Sequence, residues 1–201
     1  MTTLTKHMPN ALTLFRLLAA PLVGLLLILS ARGVVPAEIG LPTALALFAM
    51  ACLSDIFDGL LARRLDQETV LGAVLDPVAD KLLMLFTGVG LIVLVPNLWV
   101  IFPVTLMVAR DLLVGGLREA ALAQDWRLSV RGLGKFKTVT QCLALAVALA
   151  DISYSALGLR AAPDTLASLW VIIPLWLAAA TSWFSGLDYI CLLYTSPSPR
   201  D

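Results

Sequence analysis

Four aspartates lie between positions 55 and 80 at spacings that suit the faces of two helices. Asp55 and Asp58 are three residues apart and Asp76 and Asp80 are four apart, so each pair projects from one side of its helix. Carboxylate oxygens are the ligands preferred by hard divalent cations such as Mg²⁺ and Mn²⁺. Two such cations, held side by side, clamp the reacting oxygens in displacements at phosphorus. If the two faces converge, the pattern predicts a site for two divalent cations, Mg²⁺ or Mn²⁺.

The same segment also permits structural interpretations. Asp76 directly precedes Pro77, a position where aspartate commonly caps the first turn of a helix. Arg63 suits a phosphate oxygen through its paired donors, and the alternative is an arginine that reaches the membrane interface. This segment also contains three small residues, Gly59, Ala62 and Gly72. Small residues allow either close helix packing or the close approach of a ligand.

The helices that carry these aspartates must lie in a membrane. Of 201 residues, 60% are hydrophobic and 14% are charged, whereas soluble domains average about 25% charged residues. The dipeptide Pro96-Asn97 divides one long apolar run into two spans. We therefore predict an all-α polytopic membrane protein with six transmembrane helices and no large soluble domain. The predicted spans are 8–29, 40–62, 72–95, 98–123, 133–156 and 166–190.

Charge placement predicts the orientation of these spans. Most basic residues fall on the side of the termini and of the 2–3 and 4–5 connections, and the opposite side holds only Arg32 and Arg160. Both termini are therefore expected in the cytoplasm. Acidic and basic residues balance at 14 each, so we expect no nucleic-acid partner. Residues 1–193 form one predicted domain; the Ser/Pro-rich segment 194–201 is expected to be disordered, with a non-native origin as the alternative.

A second group of charged residues lies in and after the fourth predicted span. Arg110 and Arg118 are eight residues apart and so share a helix side, and Lys135 and Lys137 open the fifth span. Arginine within an apolar span is by default a functional candidate, and four cations around one cavity favour an anionic ligand. The alternative is simple pairing, since an acidic residue follows each arginine and the lysines also suit a membrane boundary.

The segment DIFDGLLARRLDQETVLGAVLDPVAD, residues 55–80, resembles the signature of the CDP-alcohol phosphotransferase family. It fits DxxDGxxAR, eight residues and GxxxDxxxD at every fixed position. The resemblance implies a six-helix membrane protein, usually a homodimer. It also implies transfer of a substituted phosphate from a CDP-linked membrane lipid to an alcohol, with release of CMP.

Residue by residue, the resemblance implies that Asp55, Asp58 and Asp76 bind two divalent cations. Asp80 would contact the second cation and act as general base, which is reasonable because the attacking alcohol must lose a proton. The expected contacts to CDP-diacylglycerol are Gly59, Ala62, Arg63, Thr69 and Gly72.

Three further segments, PNALTLFRLLAAP, ARDLLVGGLRE and GKFKTVTQ, resemble the branch of this family whose acceptor is glycerol 3-phosphate. The implied reaction transfers a phosphatidyl group from CDP-diacylglycerol, in a bacterial inner (plasma) membrane. The implied acceptor pocket is Arg110, Arg118, Lys135 and Lys137.

Three residues near the start of the chain are expected to face the same cavity: Asn10, Thr13 and Arg16. The alternatives are a helix cap and an arginine at the membrane interface. Other functions stay open at this point. Within the family, the alternative is a cardiolipin synthase that uses phosphatidylglycerol as acceptor. Outside it, the alternatives are a cation transporter and a noncatalytic lipid-binding protein.

Overall fold

The chain folds into six α-helices. The structure, a computed structural model, describes residues 8–65, 70–122, 133–159 and 169–195, and side chains within 12–55, 75–121, 136–159 and 169–191. No β-strand occurs within these ranges. All six helices are long and apolar enough to cross a membrane. In chain order they are α1 (Met8–Ala31), α2 (Ala37–Leu65), α3 (Val70–Leu94), α4 (Leu98–Leu122), α5 (Leu133–Ala156) and α6 (Leu169–Thr195).

Local sequence signals explain where several helices begin and end. Gly33 follows α1 with φ of 68° and Gly158 follows α5 with φ of 67°, a backbone region that glycine enters without steric cost. At each glycine, two backbone hydrogen bonds close the last helical turn. Asn97 caps α4, because its Oδ1 accepts a hydrogen bond from the backbone N–H of Trp99 at 2.9 Å.

The predicted six helices and the division at Pro96-Asn97 are confirmed, with small shifts at the ends. Helix α2 begins at Ala37 rather than at residue 40, and the predicted start of α6 at residue 166 lies outside the described residues. Helix α6 also continues to Thr195, which is two residues into the segment predicted to be disordered. The apolar residues before Thr195 extend the helix there, and residues 196–201 lie outside the described ranges.

Apolar side chains fill the interior and also cover the outside of the helices. Leu18 and Leu112 are both 64% exposed and Phe184 is 73% exposed, which suits contact with lipid rather than water. The interior lies where α1 packs on α2 and α3, α2 packs on α5, and α6 packs on α4 and α5. Its apolar side chains, each at most 2% exposed, include Val23, Leu27, Phe48, Leu83, Leu91, Val100, Leu145, Leu149 and Leu175.

Two glycines bring α1 and α3 close together. A Cβ atom on Gly24 would lie 2.8 Å from the backbone oxygen of Phe86, and one on Gly90 would lie 2.8 Å from Leu27 Cβ. Only small residues allow helix backbones to approach this closely. The contact fixes the position of α1 along α3, and therefore the level at which their polar residues meet.

Candidate active site

Three of the four predicted aspartates converge on one arginine from α1. Arg16 Nη1 donates to Asp55 Oδ1 at 2.8 Å and to Asp80 Oδ1 at 2.6 Å, and Nη2 donates to Asp76 Oδ1 at 3.1 Å. Asp55 lies on α2, ten residues before its end at Leu65, whereas Asp76 and Asp80 lie one turn apart on α3. The spacing of the aspartates therefore does place their side chains at one point, which we call the acidic cluster: Asp55, Asp76 and Asp80.

Burial differs sharply between the arginine and its partners. The Arg16 side chain is 0% exposed, whereas the three aspartate side chains are 44%, 43% and 34% exposed. Thr13, one turn earlier on α1 and also buried, donates its hydroxyl to Asp76 Oδ1 at 2.6 Å. The cation thus lies on the inner side of the acidic cluster, and the carboxylates present their other side to an open space.

Other predicted residues of this segment are only partly described. Asp76 lies in the second turn of α3, which starts at Val70, so it does not cap the helix. Asp58, Gly59, Ala62 and Arg63 belong to α2, and Gly72 belongs to α3, but nothing beyond their backbone is described. Thr69 lies outside the described residues. Asp58 follows Asp55 by three residues on the same helix, so its backbone adjoins the acidic cluster.

The chemistry of the acidic cluster fits a divalent cation. Its donors are carboxylate oxygens, which Mg²⁺ and Mn²⁺ prefer, and they already surround one positive group. Within the described side chains, no three His, Cys, Asp or Glu residues form a finished metal site by themselves. The Arg16 guanidinium instead links the three aspartates, and Asp58 is the fourth carboxylate expected at this position.

A second polar cluster joins α4, α5 and α6. Asp111 accepts hydrogen bonds from Lys137 Nζ at 2.5 Å and from Arg110 Nη1 at 3.2 Å, and all three side chains are between 9 and 12% exposed. Gln141 Nε2 lies 3.4 Å from Asp111 Oδ2. Arg110 Nη2 also donates to Ser185 Oγ of α6 at 2.5 Å. We call Arg110, Asp111 and Lys137 the basic cluster, because its two cations outnumber its one carboxylate.

The structure thus brings together two of the four cations predicted for an acceptor pocket. Arg110 and Lys137 meet at Asp111, so the alternative of simple pairing with the following acidic residue applies to Arg110. Arg118 is exposed and lies two turns further along α4. Lys135 belongs to α5, but its side chain lies outside the described residues.

Lys81 follows Asp80 of the acidic cluster and lines a cavity with Asp111 of the basic cluster, although the sequence did not predict it as part of the acceptor pocket. It directly follows Asp80 on α3, and its ammonium lies against Gly115 of α4, where an added Cβ atom would require the end of the Lys81 side chain to move. Lys81 also lines a cavity of about 210 Å³ between α3, α4 and α5, together with Asp111, Gln141 and apolar side chains. Its position beside Asp80 was the sequence signal that could have identified it.

The two clusters lie at similar depths in the helix bundle. Asp80 is ten residues from Val70, the start of α3, and Asp111 is eleven residues from Leu122, the end of α4. At about 1.5 Å per residue, both lie roughly 15 to 17 Å from helix ends on the same side of the bundle. Arg118 is closer to that side, about 6 Å from the end of α4 by the same measure. A molecule that enters from this side would pass Arg118 before reaching the clusters.

Comparison with known proteins gives a consistent assignment. The family model described as CDP-alcohol phosphatidyltransferase matches residues 6–187. A protein of Cereibacter sphaeroides named CDP-diacylglycerol–glycerol-3-phosphate 3-phosphatidyltransferase is 40% identical over 147 residues, which cover 69% of this chain and 61% of the relative. Proteins of the same name from Escherichia coli K12 and Shigella boydii are 38% identical over 142 residues, covering 70% of this chain and 75% of each relative.

The chain thus spans somewhat less than two thirds of the Cereibacter relative and three quarters of the Escherichia relative. The matched region includes both clusters, since the family model extends from before α1 into α6. With its six helices and its converging aspartates, this chain belongs to the CDP-alcohol phosphatidyltransferase family.

Proposed function

We propose that this protein transfers the phosphatidyl group of CDP-diacylglycerol to glycerol 3-phosphate, giving phosphatidylglycerophosphate and CMP. The relatives named for this reaction support the proposal, because they align with most of the chain. The single observation that carries it is the convergence of Asp55, Asp76 and Asp80, which assembles an oxygen-rich acidic cluster from two helices. The reaction is a direct displacement at phosphorus that depends on two divalent cations, Mg²⁺ or Mn²⁺.

In this proposal the cations are held by Asp55, Asp58, Asp76 and Asp80. When bound, they offset the negative charge of the pyrophosphate and make its phosphorus easier to attack. Asp80 accepts the proton from the attacking hydroxyl of the acceptor. Its side chain is 34% exposed, which leaves room for an alcohol beside the carboxylate.

The nucleotide end of CDP-diacylglycerol is assigned to the end of α2 and the start of α3. Arg63 gives paired donors to a phosphate oxygen, and the small residues nearby allow the ligand to approach the helix backbone. The complete proposed set is Gly59, Ala62, Arg63, Thr69 and Gly72.

The acceptor is assigned to the basic cluster and its surroundings. Arg110, Lys137 and the neighbouring Lys81 carry three positive charges against the one carboxylate of Asp111. Among these described side chains, an excess of two positive charges remains, which matches the charge of a phosphate monoester. Arg118, nearer the end of α4, would attract the anion on its way in, and Lys135 completes the proposed pocket.

We also propose that the active site and both termini face the cytoplasm in a bacterial inner membrane, and that the protein is a homodimer. The orientation is supported by the concentration of basic residues on one side of the predicted spans. It places both clusters within reach of a water-soluble acceptor from the cytoplasm.

The test is CMP release by detergent-purified protein supplied with CDP-diacylglycerol and Mg²⁺. One sample receives glycerol 3-phosphate, one receives phosphatidylglycerol, and a third receives glycerol 3-phosphate and a chelator. Asp80→Asn should reduce turnover by at least about 10³-fold, because the proton acceptor is lost while shape is kept. Asp151→Asn is the matched control, since this carboxylate lies near the opposite end of α5 from Lys137; it should leave turnover unchanged.

Each outcome decides between functions. Release with glycerol 3-phosphate that the chelator abolishes supports the proposal. Release with phosphatidylglycerol alone would assign the protein to cardiolipin synthesis instead. No release with either acceptor, from folded protein, would refute the proposal. Substantial turnover by Asp80→Asn would remove Asp80 from the role of base.

A further inference from the structure

Arg16 is the most deeply buried charged side chain near the acidic cluster, and the proposed reaction gives it no role. It lies in the membrane-spanning part of α1, where an arginine is costly unless it has partners. Its contacts reach both other helices of the site: Asp55 on α2, and Asp76 and Asp80 on α3. A single side chain from a third helix therefore joins all three described carboxylates.

The shape of the guanidinium explains how one residue can do this. Arginine has five N–H donors in a rigid planar fork, so it can direct hydrogen bonds to several acceptors at fixed angles. Here Nη1 contacts two carboxylates and Nη2 contacts the third. A lysine at this position would supply the charge from one flexible point and would not fix three partners in the same geometry.

The carboxylates need such a partner when no metal is bound. Three negative side chains that meet at one place repel one another, and the penalty grows as the surroundings become less like water. Arg16 lies on the buried side of the acidic cluster, where screening by solvent is weakest. Thr13 adds a hydroxyl donor to Asp76 from the same side of α1.

We propose that Arg16 is a positioning residue that holds Asp55, Asp76 and Asp80 together before the divalent cations bind. The acidic cluster is then already assembled in the metal-free protein, with its exposed side directed toward the incoming cations. Thr13 assists by fixing Asp76. The proposal deepens the proposed function and rests on it for the identity of the ligand, a divalent cation.

This role has a consequence that simple packing does not have. Arg16 and the bound cations offset the charge of the same carboxylates, so one can partly replace the other in stabilising the fold. Loss of Arg16 should therefore be most harmful when metal is absent. An arginine that only filled space between helices would cost the same stability with and without metal.

The test measures the melting temperature of detergent-purified protein without lipid substrate, in EDTA and in saturating Mn²⁺. Arg16→Gln is compared with Arg32→Gln, an exposed arginine just after α1, as the matched control. In EDTA, Arg16→Gln should melt at least about 6 °C below the control, as expected for a buried ion pair that loses one partner. In Mn²⁺ this gap should shrink to less than half. In EDTA, the melting temperature of Arg16→Lys should lie between those of Arg16→Gln and Arg32→Gln.

Binding of Mn²⁺ is followed in the same samples by the loss of the free-ion EPR signal. An equal gap in EDTA and in Mn²⁺, or no gap in EDTA, would overturn the proposal. So would a wild-type protein that takes up no Mn²⁺. If Arg16→Gln does not fold, Thr13→Val decides: we expect a smaller fall in EDTA that Mn²⁺ removes, and a fall that persists in Mn²⁺ would overturn the proposal.

The proposed transferase activity is tested separately, because none of these measurements involves turnover. CMP release by the wild-type protein is recorded in parallel. A metal-dependent gap without CMP release would refute the proposed function and leave the role of Arg16 intact. CMP release with no metal-dependent gap would support the proposed function and overturn the role of Arg16.

Discussion

Helix α4 contains two arginines that are each followed by an acidic residue, and the structure predicts a large effect of neutralising one acid and a small effect of neutralising the other. Asp111 is 11% exposed and bonds to Arg110 and Lys137, whereas Glu119 is exposed. The change Asp111→Asn keeps the shape of the side chain and removes its charge. It leaves two buried cations next to each other without the carboxylate that joins them.

The size of the effect follows from this burial. Removal of one partner of a buried ion pair costs about 3 to 5 kcal/mol, since the remaining charge is left in surroundings of low polarity. For a domain of this size, each kcal/mol lowers the melting temperature by about 2 to 4 °C. We therefore expect Asp111→Asn to melt about 6 to 20 °C below the wild type. Glu119→Gln changes an exposed side chain and should alter the melting temperature by less than about 3 °C.

The assay is thermal unfolding of detergent-purified protein without substrate, on both variants and the wild type. The double variant Asp111→Leu, Lys137→Met removes both charges of the shorter ion pair in the basic cluster and should recover part of the loss. Equal melting temperatures for Asp111→Asn and Glu119→Gln would refute the assignment of Asp111 as the centre of the basic cluster. A double variant less stable than Asp111→Asn would show that charge imbalance is not the cause.

Four further substitutions test the acceptor pocket and the helix contacts. Arg118→Ala should raise the KM for glycerol 3-phosphate about 10-fold and leave that for CDP-diacylglycerol nearly unchanged, because the anion loses a charge that attracts it on its way in. Steady-state kinetics with each substrate varied would check this, and equal effects on the two KM values would argue against the pocket. Gly24→Ala should destabilise the protein by about 1 to 3 kcal/mol because the new Cβ meets the backbone of Phe86, whereas Gly116→Ala, with nothing within 4 Å, should be neutral or stabilising in the same melting assay. Trp183→Phe should cost about 1 kcal/mol, since its Nε1 donates to a backbone carbonyl of α4 at 3.1 Å, and denaturant or thermal unfolding would show it.

The sequence predicts the helices well because a membrane imposes a simple rule on them. Each span must be apolar over about 20 residues, and a charged or Pro-Asn segment separates one span from the next. The division at Pro96-Asn97 followed from this rule, and Asn97 caps α4 as its side chain allows. Exact ends are less predictable, because a helix such as α2 continues beyond the hydrocarbon region as far as its backbone hydrogen bonds permit.

The acidic cluster was predictable in part, for a physical reason. Spacings of three and four residues put Asp76 and Asp80 on one helix side whatever the fold, so local geometry settles that pair. The partner of these carboxylates is 60 to 64 residues away in the chain. A lone arginine near the end of a span suits the membrane interface equally well, and only tertiary packing decides that Arg16 turns inward. The same limit applies to Asp111, whose contact with Lys137 joins two helices.

The distance along the chain between Arg16 and its carboxylates also sets an order of assembly during synthesis. Asp55 is made 39 residues after Arg16, and Asp80 is made 64 residues after it. At about 5 to 20 residues per second, the arginine exists for roughly 2 to 13 s before these partners do. During that time its long side chain can extend toward the lipid headgroups, because Arg16 lies in the first half of α1. We therefore expect the ion pairs of the acidic cluster to form only after α2 and α3 have been synthesised, so that they mark the completion of the three-helix unit.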